Sequence, residues 1–138
     1  MNFFSKCICP IAFLLVCFSM SGGFYFTKTR KCYIYCNTKM LSWHEARAEC
    51  MKNKNGDLAT IADQATQDFV KSSFIFSKWI WLGGIRTSGK WTWADGTIWT
   101  GFDLNTQNDD GHDYLFMETS YDWNDWTNSH KSHFLCQY

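Results

Sequence analysis

Between Trp91 and His130 the sequence carries eight carboxylates: Asp95, Asp103, Asp109, Asp110, Asp113, Glu118, Asp122 and Asp125. No Lys or Arg interrupts them, and the amides Gln107, Asn108, Asn124 and Asn128 lie in the same stretch. Oxygen donors at this density suit a hard cation such as calcium, which takes carboxylate, amide and carbonyl ligands. A solvated acidic loop would have the same composition. Other chemistry is sparse. His130 and His133 stand three apart, so on a strand they point to opposite faces and share no zinc; they read as surface histidines. No Ser or Cys stands in a pattern that supplies a nucleophile with its base, so the chain reads as non-enzymatic. No Asn-x-Ser/Thr sequon is present.

The 138 residues suit one domain, and 46% hydrophobic residues exclude a disordered chain. Thirteen basic and thirteen acidic residues cancel, which removes the positive field that nucleic-acid binding needs. The balance is global but not local: residues 22–90 hold eleven Lys/Arg and five Asp/Glu, ahead of the acidic stretch. Residues 1–21 read as a signal peptide. Lys6 gives a positive start, Cys7 to Met20 an apolar run, and Ser19, Ser21, Gly22 and Gly23 a small-residue cleavage region. A membrane span needs about 20 apolar residues, more than this run has. Residues 22–138 are therefore expected to be secreted, without a membrane anchor. Removing the leader leaves Cys32, Cys36, Cys50 and Cys136, an even number that reads as disulfides in an exported domain. In a continuous strand Cys32 and Cys36 would lie about 13 Å apart, too far for a bridge. They bend the chain into a local clasp, link two molecules, or stay reduced.

The elements that must position these groups follow from local pattern. Cys32 to Cys36 is β-branched and aromatic and predicts a strand. Ser42 and Glu45 form a capping box, so a helix runs through Trp43, Ala46 and Cys50 and ends before a turn at Asn55-Gly56. Asp63 is the N-cap of a second helix carrying Phe69, Val70 and Phe74. Strands are expected from Trp79 to Gly84 and around Trp91 and Trp93, the second ending at Asp95-Gly96. Residues 98–113 lack periodicity, and an unpatterned stretch of that length in a small domain points to function. Tyr114 to Met117, Asp122 to Trp126 and His133 to Tyr138 read as closing strands. Helices early and strands late predict an α+β domain.

Taken together these residues resemble the C-type lectin-like domain. The resemblance spans nearly all of residues 22–138. It is carried by Cys32-Tyr33, Ser42-Trp43-His44-Glu45-Ala46-Arg47 with Cys50, Gly56-Asp57-Leu58-Ala59-Thr60-Ile61 and Trp81-Leu82-Gly83. Trp91-Thr92-Trp93-Ala94-Asp95-Gly96, Trp123-Asn124-Asp125 and Phe134-Leu135-Cys136 complete it. It implies two helices flanking antiparallel sheets, with a long loop that carries binding. It also implies a Cys50–Cys136 bridge, which in the chain-entropy model would contribute about 4–5 kcal/mol. Trp43, Trp81, Trp91 and Trp93 match core positions, while Trp99 and Trp126 could pack or stack on a sugar.

The resemblance also implies a site. Sugar-binding members hold calcium through a loop triplet and the Trp-Asn-Asp strand, and vicinal sugar hydroxyls complete the coordination. Here the ligands to ion and sugar would be Gln107, Asp109, Asn124 and Asp125, with Asp113 and His112 assisting. The Gln…Asp order is nearer the galactose-type triplet. Asn108 stands where the family has a cis-proline, and a non-Pro cis bond costs about 3–4 kcal/mol against about 0.5–1. The family's second bridge would join Tyr114 and Asn128, and neither is Cys; Tyr114 is expected to pack beneath the loop. The resemblance thus implies a secreted, calcium-assisted glycan-binding lectin whose partner is a carbohydrate or glycoprotein. The alternative, motivated by Asn108, the missing bridge and His112, is a calcium-independent protein-binding module.

Overall fold

The computed structural model describes residues 23–100 and 111–138. Eight strands and two helices follow in the order β1 (Phe24–Phe26), β2 (Lys31–Leu41), α1 (Trp43–Met51), β3 (Asp57–Leu58), α2 (Gln64–Ser73), β4 (Ile80–Thr87), β5 (Lys90–Trp93), β6 (Tyr114–Met117), β7 (Trp123–Trp126) and β8 (Ser132–Gln137). The fold is α+β, as expected. Both helices begin where their caps place them. Ser42 accepts from the Glu45 amide while the Glu45 carboxylate accepts from the Ser42 amide, and Asp63 accepts from the Thr66 amide. These contacts satisfy first-turn N–H groups that have no partner within a helix. Beside Asp63, the Lys28 ammonium at 2.7 Å and the Thr66 amide hold its carboxyl down at about 2.

The strands form a single sheet, ordered β1-β2-β8-β4-β6-β7, with β3 paired to β8 and β5 to β4. It is mixed: every pair is antiparallel except β4 with β8, where Ile80 faces His133 and Trp81 faces Phe134. The chain leaves β4 through two hairpins before returning as β8, which no local pattern announces. β8 is buried at all six positions, as a strand covered on both faces must be. Its two faces separate two cores. One gathers Tyr33, Tyr35, Leu82, Leu115, Met117 and Leu135; the other holds Trp43, Trp81, Phe116, Phe134 and the Cys50–Cys136 disulfide, whose Cα atoms are 5.5 Å apart. The two buried tryptophans are also tied by their polar ends. Trp43 Nε1 donates to Leu82 O at 2.7 Å and Trp81 Nε1 to Leu41 O at 2.9 Å, so neither indole N–H is stranded.

Gly84 sits in the middle of β4, where glycine is normally costly. A Cβ there would lie 2.7 Å from the Leu115 Cβ, so the close approach of β4 and β6 requires its absence. One open alternative is removed and one sequence expectation is corrected. β2 is extended through both Cys32 and Cys36, so the chain does not bend into a local clasp between them. His130 precedes β8, and His133 lies within it. His133 is buried, not on the surface, and its Nδ1 pairs with the Tyr35 hydroxyl at 2.7 Å. Burial, followed by the charge of Lys78, pushes its pKa down. Among the described residues no helix is long and apolar enough to cross a membrane.

Candidate functional site

The site is built on the β6–β7 hairpin. Its register pairs Tyr114 with Trp126, Leu115 with Asp125, Phe116 with Asn124 and Met117 with Trp123. Alternation along β7 then sorts the side chains. Trp123 and Asp125 face the core of Leu115 and Met117, and both are 2% exposed. Asn124 and Trp126 face the other side, and Trp126 is 37% exposed. Asn124 Oδ1 accepts the Asp125 amide at 2.9 Å, and its Nδ2 donates to Glu118 Oε1 at 3.4 Å. Glu118 is fixed in turn by the hairpin, its amide bonded to Asp122 O at 2.8 Å. Among the described residues, both hydrogen-bond partners of the Asn124 amide come from one hairpin.

Asp113 enters from the loop end. Its backbone carbonyl accepts from the Arg86 amide at 2.8 Å, and its Oδ1 accepts from Arg86 Nε at 2.9 Å. The guanidinium also lies 5.9 Å from the Trp91 ring centre, so β4 and β5 together anchor the residue before β6. Arg86 was not legible as a site residue: it lies 27 positions earlier, in a strand whose pattern is apolar. His112 stacks on Trp126, with ring centres 5.0 Å apart and planes at 27°. Below them Tyr114 contacts the Trp43 and His44 rings at 5.1 and 5.2 Å. Burial followed by the Asp113 charge raises its pKa.

The two uncommitted tryptophans part company. Trp99 stacks on Trp91 at 5.4 Å and lies 4.9 Å from Trp93, inside an aromatic cluster. Trp126 stays open, and it continues a path of rings: it lies 6.2 Å from Trp79 and 6.0 Å from His130. Trp79 itself is 36% exposed and stacks on Phe116 at 4.7 Å. The sequence reading placed Trp79 at a strand start without giving it a role.

Gln107, Asn108 and Asp109 lie outside the described residues. The donors that are described, Asn124, Asp125 and Asp113, offer amide and carboxylate oxygens, which is the chemistry calcium takes. Among the described residues no three His, Cys, Asp or Glu side chains group closely enough to hold a metal ion. A complete coordination sphere would thus need the loop to bring Gln107 and Asp109 to β7.

A family model described as the Lectin C-type domain matches residues 39–138. The chain belongs to the C-type lectin domain family. Among curated proteins, the C-type lectin lectoxin-Phi2 of Philodryas olfersii is 26% identical over 93% of this chain and 95% of its own length. The secretory phospholipase A2 receptor of Mus musculus is 33% identical over 50% of this chain, which spans only 5% of that receptor. Among solved structures, a Ca2+-dependent type II antifreeze protein in its Ca2+-free form aligns with a TM-score of 0.72 at 25% identity, covering 87% of this chain and 98% of that one. The C-type lectin domain of murine dendritic cell inhibitory receptor 2, in complex with N-glycan, aligns at 0.69 and 25%, covering 78% and 90%. Within this C-type lectin domain, then, Trp123-Asn124-Asp125 stands on β7, paired with β6.

Proposed function

We propose that this C-type lectin domain is a secreted, non-catalytic module that binds glycans with the help of calcium. The observation that carries the reading is β7 itself: Asn124 and Asp125 are successive oxygen-bearing residues on it, and Trp126, on the same face as Asn124, offers an open ring. An indole face attracts the slightly positive C–H groups on the apolar face of a sugar, while its hydroxyls seek the amide and carboxylate oxygens. Calcium would be held by Gln107, Asp109, Asn124 and Asp125 and would supply a centre on which two vicinal hydroxyls complete the coordination. Asn124 and Asp125 orient the sugar, and Glu118 fixes the Asn124 amide. Two comparisons support it: one solved relative is named as a complex with N-glycan, and a relative matching nearly full length is named a lectin. Secretion rests on the leader-like residues 1–21.

The test is a glycan array and calorimetry with millimolar calcium or with chelator. Binding in calcium that is lost in chelator, and lost in Asp125→Ala, supports the reading. Equal binding in chelator, or none in calcium, ends it. The Arg86–Asp113 pair favours a second reading, calcium-independent protein binding, because a guanidinium already neutralises one candidate ligand. That reading gains if the chain binds no glycan in calcium yet folds normally.

A further inference from the structure

A second surface lies at the start of β4, away from the Asn124–Asp125 strand but joined to it by the ring path through Trp126. An open cleft of about 300 Å³ is lined there by Trp79, His130, Lys78, Lys131, Ser77 and Thr119. Trp79 forms its apolar wall. One face of the indole is backed by Phe116, its carbonyl is held by the Ser132 hydroxyl, and the ring is 36% exposed. His130 sits beside it, ring centres 5.7 Å apart. Lys78 and Lys131 are both exposed, and neither forms an ion pair among the described residues. Of the ten other described cations, Lys28, Lys31, Lys39, Arg47, Lys52 and Arg86 are paired with carboxylates and Arg30, Lys54, Lys71 and Lys90 are not; what sets Lys78 and Lys131 apart is that both line one cleft beside an indole. The charge of Lys78 reaches inward: after burial, it is the second cause that disfavours the charged form of His133.

We infer that this cleft binds a sugar unit bearing an anionic group, a sulfate or a carboxylate, through Trp79 on its apolar face and Lys78 and Lys131 on its charge. A flat apolar wall and two exposed lysines without an ion pair at one mouth match a pyranose with an acidic substituent. The Ser77 and Thr119 hydroxyls add partners for ring oxygens. A neutral sugar would leave the ammonium groups without a partner; a simple acidic peptide would leave the indole wall bare. No calcium ligand lies in the lining, so this binding does not depend on the ion or on the reading proposed above for β7.

The test uses the whole chain in chelator, with three probes: a sulfated heparin tetrasaccharide, sialyllactose and neutral lactose. The expected result is saturable binding of at least one acidic probe and none of lactose. Which acidic probe binds distinguishes sulfate from carboxylate. Affinity should fall with salt, because the contacts are ionic and exposed. Lys78→Gln with Lys131→Gln should weaken it by about fivefold or more, for two exposed pairs of up to about 1 kcal/mol each. Trp79→Ala should weaken it too, with folding checked by thermal melting. Because both lysines are exposed, the double glutamine variant should fold even if the tryptophan variant does not. The inference is overturned if neither acidic probe binds in chelator, if the double variant binds as tightly as the original, or if polyglutamate competes as well as the saccharides. Loss of calcium-dependent glycan binding would count against the β7 reading alone.

Discussion

The Tyr114 hydroxyl lies 3.0 Å from His44 Nε2, and the backbone N–H of the same histidine donates to Asn128 Oδ1 at 3.0 Å. Tyr114 and Asn128 are the two positions at which the family resemblance places its second bridge. One exposed residue at the start of α1 thus touches both ends of the missing cross-link. Tyr114→Phe removes only the hydroxyl and should destabilise by about 0.5–1.5 kcal/mol, the ordinary worth of a hydrogen bond. His44→Ala should cost more, since it also removes ring contacts to Trp43 and Tyr114. Thermal melting of both variants measures the order, and equal melting of all three proteins would deny the contact any role.

The Cys50–Cys136 disulfide closes a loop of 86 residues between α1 and β8. In the chain-entropy model such a closure contributes about 4–5 kcal/mol. Cys136→Ser should therefore lower the denaturation midpoint far more than a surface substitution such as Thr97→Ser. Denaturant titration followed by tryptophan fluorescence reads the difference.

Asp63 couples stability to acid. Its carboxyl is held down at about 2 in the folded chain, below the ordinary aspartate range, because it accepts from Lys28 and from the α2 cap. A depressed pKa contributes stability above the unfolded value, and that contribution is lost as pH falls from about 4 towards 2. The side chain is 45% exposed, so screening keeps the effect modest. Asp63→Asn should flatten the loss of stability over this window while leaving α2 capped. Unfolding at several pH values compares the slopes, and parallel slopes would reject the assignment.

Arg86 competes for Asp113. If Asp113 assists a calcium ion, removing the guanidinium should strengthen its hold on the ion. Arg86→Met keeps the packed stem against Trp91 and should tighten calcium by about threefold, the scale of a partly exposed ion pair. Calorimetry reads the change. Unaltered calcium affinity would place Asp113 outside the coordination sphere.

Much of this was legible in local pattern. The Ser42 and Asp63 caps, the alternation of Trp123 to Trp126 and the two-helix, late-strand order all depend on neighbours in sequence, where periodicity and capping chemistry act. β1 and β3 were missed because two or three residues carry no measurable period. The parallel β4–β8 pair was missed because it joins distant segments without a turn between them. His133 was misjudged for the same reason, since its burial comes from Tyr35, 98 residues away. At the site the carboxylates were visible as types, but the Arg86 that engages Asp113 and the Trp79 cleft arise only from packing.

The position of β8 has a consequence for how the domain is made. It is the last of these strands to leave the ribosome, yet it lies between β2 and β4, and Cys32 and Tyr138 exchange both backbone hydrogen bonds across its end. At about 5–20 residues per second, β2 waits roughly 5–20 s for its central partner to be synthesised. During that interval β2 and β4 have facing edges with nothing between them, and Cys50 has no Cys136 to meet. Assembly of the sheet therefore waits for β8 in its decisive step, and a chain cut before Ser132 is left with β1–β2 and β4–β7 as two separated half-sheets instead of a shortened one.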